Sequence, residues 1–131
     1  MSRDEFKRAK EEAVLCLSPE KILNAFQSYL FKHHKIPYDR VVFNSMNAIQ
    51  RIRDAVLLSH SESEERCHEI SGETDGECIW VVRGMAYEDQ VETLVHEAMH
   101  DSVFIRRLTR RGSCKSLSCD IEHGAMQIIG Y

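Results

Sequence analysis

Residues 94–100 read Leu-Val-His-Glu-Ala-Met-His, and this run constrains the fold more tightly than any other. Two histidines four positions apart on an α-helix project from the same face, one turn above the other. The neighbouring apolar residues agree with a helix. Val91, Leu94, Val95 and Ala98 recur at helical spacing and form a buried side, leaving the histidines toward a cleft. The pattern predicts one long helix over residues 88–110, with Ile105 extending the buried side and Gly112 as its stop.

Around this helix the chain alternates between two periodicities. Ser2 with Glu5 makes a capping box, and Phe6, Ala9, Ala13 and Leu17 place a first helix over residues 3–16. Ser18-Pro19 restarts the chain as N-cap and first helical residue. Ile22, Leu23, Phe26, Tyr29 and Leu30 then stripe a second helix that ends before Ile36-Pro37. Val41-Val42-Phe43 is a short β-type run, and residues 47–58 read as a helix with Ile49, Ile52 and Val56 inward. After a polar loop over 59–65, a hairpin is expected: a strand at 66–70, a turn at 71–76 and a strand at 77–83, with Cys78, Trp80 and Val82 on one face. A short closing helix covers 120–129. The fold class expected is α+β, and at 131 residues the length fits one domain, 1–131.

Composition narrows the classes further. Hydrophobic residues make up 43% and charged residues 29%, as in ordinary globular chains, and no apolar run is long enough for a membrane span. The charged start of the chain lacks a secretory pattern, so an intracellular location, cytoplasmic or nuclear and not secreted, is expected. Five cysteines are then mostly free thiols. Cys67 and Cys78 read as small hydrophobes, and Cys114 with Cys119 has the spacing of a metal half-site or a disulfide. A net charge of −4 argues against the whole molecule attracting nucleic acid. Arg106, Arg107, Arg110, Arg111 and Lys115 nevertheless cluster at the end of the expected long helix. The reading favoured is interaction with that helix's C-terminal dipole, and the sharper one is a weak, salt-sensitive DNA contact. Lys32-His33-His34-Lys35 reads as a solvated helix end.

The chemistry is concentrated in His96-Glu97-Ala98-Met99-His100. Two imidazoles on one helix face can reach a single Zn2+ ion, and Glu97 beside them is placed to act as general base. A catalytic zinc usually takes three protein ligands, so a third must come from elsewhere. The candidates after the helix are Asp120, Glu122 and His123; His123, followed by Gly124, is preferred, with Glu122 as the alternative. Residues 79–83 are the candidate edge for an extended peptide substrate. Tyr87 and His68 are named as oxyanion stabilisers with no spacing argument behind either.

The stretch from Thr93 to His100, preceded by a strand at 79–82 and followed by His123-Gly124, resembles the SprT-like metallopeptidase family. The resemblance implies a minimal zincin domain of N-terminal helices, a small antiparallel sheet, the HExxH helix and a closing helix. It also implies His96, His100 and His123 as zinc ligands, Glu97 as catalytic base, and hydrolysis of peptide bonds, including those of DNA-associated proteins. The chain departs from the family at Asp101, in the long gap from His100 to His123, and in lacking a following CxxC…CxxC ribbon. Two other readings stand beside it: a non-catalytic binding module stabilised by zinc, and a nucleic-acid-binding adaptor with no metal.

Overall fold

Ser18 begins the second helix as its sequence demands: its hydroxyl accepts from the Lys21 N–H at 3.5 Å, and Pro19 occupies the first turn, where its missing N–H costs nothing. The computed structural model describes residues 3–58, 72–74, 78–106 and 114–131. α1 (Arg3–Cys16) and α2 (Pro19–His34) match expectation, and Phe6, Ala9, Ala13, Ile22, Phe26 and Leu30 are buried. Lys35 closes α2 in the left-handed conformation. Ser2 of the expected capping box lies outside the described residues.

Asn44 caps α3 (Ser45–Arg53) by accepting from Asn47 N–H at 3.1 Å, directly after β1 (Val41–Phe43). α3 stops five residues earlier than its apolar pattern predicts. Lys10 of α1 takes the carbonyls of Arg53 and Ala55 at 2.7 and 3.2 Å, and Val56 enters β2 (Val56–Leu57), where it is exposed rather than inward. β2 runs parallel to β4 (Ile79–Val81), whose other side pairs antiparallel with β3 (Gly72–Thr74). The expected hairpin is therefore shifted. Gly72, Glu73 and Thr74, assigned to the turn, are strand, and the expected strand at 66–70 lies outside the described residues. Ile79 and Val81 are buried while Cys78, Trp80 and Val82 are not, the alternation the sequence predicts. β4 is the middle strand of its sheet, with both ladders occupied, so it offers no free edge to a peptide.

The largest departure is in the histidine helix. α4 (Tyr87–Met99) ends eleven residues before the predicted Arg110 terminus. Asp101 adopts φ 60°, and the chain turns into β5 (Val103–Arg106). Val103, Phe104 and Ile105 carry the right period for a helix, but they suit a strand better and find one: β5 pairs antiparallel with β1, Val41 opposite Ile105 and Phe43 opposite Val103. β6 (Cys114–Ser116) completes that sheet in the order β1-β5-β6. α5 (Cys119–Met126) and a 3₁₀ turn (Gln127–Ile129) follow.

The architecture is mixed α+β: β1-β5-β6 is the small antiparallel sheet expected, and a second three-stranded sheet, not expected, contains a parallel pair. α4 is the centre: α1 lies along it, α3 packs on it, and β3 and β4 cover another side. α2 holds α5 and β1. Leu94, Val95, Ala98 and Met99 of α4 are buried in one apolar cluster with Phe26, Ile52, Ile79 and Met126. Among the described residues no helix is long and apolar enough to cross a membrane.

Candidate metal centre

His96 and His100 leave α4 on one face, as their spacing requires, and His123 arrives from α5. The three rings converge, with centroids 4.9, 5.2 and 4.7 Å apart, and one ligand atom of each lies within 4.8 Å of the others. This group could hold a metal ion.

Each α4 histidine is oriented by a partner on its outer nitrogen. His96 Nδ1 meets the backbone oxygen of Tyr131 at 3.0 Å, and His100 Nδ1 meets Glu122 Oε1 at 3.0 Å. A carbonyl and a carboxylate only accept, so both Nδ1 atoms carry hydrogen, and each neutral ring is left with its lone pair on Nε2. Those two Nε2 atoms face one another at 3.2 Å. Two lone pairs at that distance repel unless they share a positive centre. A single proton satisfies the pair, and so does a metal ion: nitrogens held at 2.0–2.1 Å by one tetrahedral zinc stand about 3.3 Å apart. The donor set and its spacing thus fit a divalent metal.

The electrostatics agree with one shared positive charge. Burial lowers the pKa of His96, the Tyr131 carbonyl opposing it. Burial also works against charging His100, but the hydrogen bond and charge of Glu122, with Glu97 and Asp101 behind, outweigh it and raise its pKa. His123 is lowered by burial and by the other two histidines. Glu97 is buried, and desolvation raises its pKa despite the opposing charges of His100, Arg51 and His123.

Glu122, the alternative ligand named above, lies beside the three histidines and contacts His100. Its carboxylate is 2% exposed and fully engaged, Oε1 with His100 and Oε2 with the Asp101 N–H at 2.7 Å. Such a contact is suited to orienting the His100 ring. Asp120 is exposed. Gly124 explains why glycine follows His123: a Cβ there would overlap Oη and Cζ of Tyr29, so α5 can approach α2 only without one. Gly130, at φ 86°, turns the chain so that Tyr131 N–H reaches the Met126 carbonyl at 3.0 Å while its own carbonyl meets His96.

Sequence reasoning missed Arg51. Only 3% exposed, it donates from Nη1 to the carbonyls of His100 and Ala98 and from Nη2 to that of Glu97 at 3.1 Å, filling the C-terminal end of α4. The available signal was a cation beside Ala48 and Ile52 on the buried side of α3. The expected helix-end cations are elsewhere. Arg106 and Lys115 lie exposed on the paired strands β5 and β6, and Arg107, Arg110 and Arg111 fall outside the described residues. Tyr87 sits at the far end of α4, about 13 Å along the helix from His96 at 1.5 Å per residue, which removes it as an oxyanion stabiliser. His68 is outside the described residues. No family model, curated protein or solved structure matches this chain.

Proposed function

We propose that this chain is a zinc-dependent metallopeptidase of the SprT-like kind, hydrolysing peptide bonds in protein substrates. The observation that carries the reading is the pair of Nε2 lone pairs 3.2 Å apart, with His123 and the buried Glu97 beside them. His96, His100 and His123 would hold the ion, leaving the fourth tetrahedral position free, as catalytic sites do. Bound there, zinc would supply a Lewis acid that polarises the scissile carbonyl and makes a water acidic enough to react near neutral pH.

The chain's own groups do the rest. Glu97, with its proton affinity raised by burial, accepts the proton of the attacking water and returns it to the leaving amine nitrogen. Glu122 and the Tyr131 carbonyl keep both α4 imidazoles aimed inward. Arg51 holds the helix end from which His100 projects. Exposed Arg106 and Lys115 on adjacent strands, with Arg107, Arg110 and Arg111 following in sequence, are the positions from which a weak DNA phosphate contact would be made.

Metal analysis of the purified chain and cleavage assays on unfolded and DNA-bound proteins test the proposal together. Glu97→Gln should retain zinc and lose cleavage. Purified protein without metal, or a Glu97→Gln variant cleaving at the unaltered rate, overturns the mechanism. Zinc bound with no cleavage by the unaltered chain favours the binding-module reading.

A further inference from the structure

The helix that delivers His123 carries a second metal-binding side chain one turn earlier. Cys119 and His123 are four apart on α5, the spacing His96 and His100 have on α4, so both project from one face of that helix. Cys119 Sγ lies 3.6 Å from Nδ1 and 4.0 Å from Nε2 of His123. A thiolate at about 2.3 Å and an imidazole nitrogen at about 2.0 Å on one tetrahedral zinc are separated by about 3.5 Å. The side chain is exposed, plays no part in the apolar core, and stands beside but not within the trio of histidines.

We propose that Cys119 is a reversible fourth ligand that silences the centre. With Sγ on the ion the site is a closed His₃Cys set of the kind that serves structure. With the side chain swung out the fourth position is open to water and substrate. On closing, the thiol proton passes to solvent, a sulfur–metal bond forms and the water in that position leaves; no electron changes hands. The inference rests on the proposed metal centre and adds a form of latency to it.

The test uses the whole chain loaded with Co2+, comparing the unaltered protein with Cys119→Ser and with Cys114→Ser as a control. Thiolate coordination is expected to give a near-ultraviolet charge-transfer absorption that Cys119→Ser loses and Cys114→Ser keeps. Bound metal should also slow alkylation of Cys119 by iodoacetamide relative to exposed Cys16 and Cys78 in the same molecules, read by peptide mass spectrometry. In the zinc form, Cys119→Ser should cleave faster than the unaltered chain. Cobalt bound without that absorption, or absorption surviving in Cys119→Ser, overturns the role of Cys119 and leaves the three-histidine centre standing. A chain that binds no cobalt overturns both.

Discussion

His96 and His100 can present lone pairs to a common point only while their outer nitrogens stay engaged, so the acceptors behind them matter as much as the rings. Glu122 is the acceptor that a substitution can reach. Changing Glu122 to Gln keeps an oxygen opposite His100 Nδ1 but removes the charge that raises the basicity of the ring. Loss of such an outer partner typically weakens a metal site about 10–100-fold. Competition against a chelator of known strength should show a dissociation constant raised within that range; an unchanged constant would mean that Glu122 does not tune His100. The residue pattern around 120–123 already pointed to this corner of the molecule. It could not say which of Glu122 and His123 joins the other two rings, because adjacent positions on a helix point about 100° apart and only the position of α4 decides which of them meets the histidine pair.

At the level of elements, local chemistry predicted what local chemistry controls. Both N-terminal helices, the Ser18 cap, the short run Val41–Phe43 and the inward face of Ile79 and Val81 all follow from neighbours in sequence. The end of α4 does not. Ile105 continues the helical period of Val91, Leu94 and Ala98, and nothing nearby in the chain contradicts a longer helix; the pairing of β5 with β1, some sixty residues upstream, does. The short helix then needs a cap, and Arg51 supplies it from α3. Arg51→Met should leave the carbonyls of Glu97, Ala98 and His100 without this donor. Hydrogen bonds to charged groups contribute roughly 1.5–3 kcal/mol each and are not additive, so a total loss of about 3 kcal/mol is expected in urea unfolding. Arg51→Lys should recover less than half, because one ammonium cannot reproduce the planar fork that spans three carbonyls. A loss below about 0.5 kcal/mol, the range of ordinary surface changes, would remove Arg51 from this role.

The contacts that build the centre join distant parts of the chain. His100 and Glu122 are 22 residues apart, His96 and Tyr131 are 35, and Arg51 and His100 are 49. An unfolded chain holds no such arrangement, so binding free energy at this site is also folding free energy. The α+β class was legible in the alternation of periods, whereas the two-sheet topology was not, since register between remote strands leaves no mark in either one alone. Protons and metal compete for the same nitrogens, and the sign can be worked out. His96 and His123 have folded pKa values below the ordinary imidazole value of about 6.5, so their contribution is full above that pH and is lost as the pH falls toward the folded values. His100 is raised, so its contribution is full below about pH 6.5 and is lost as the pH rises through its folded pKa. In the metal-free protein these windows adjoin at about pH 6.5, so the three rings together favour a stability maximum near that pH with losses on either side. With zinc present all three rings must be unprotonated, and the trends align. At a free zinc concentration a hundred times Kd the folded state should gain about 2.7 kcal/mol, read as a rise in Tm that a chelator reverses. That increment should shrink steadily as the pH is lowered from about 7.5 to about 5.5, across the imidazole range. A zinc-induced rise in Tm of the same size at both ends of that interval would mean that the ion is held by groups other than these histidines.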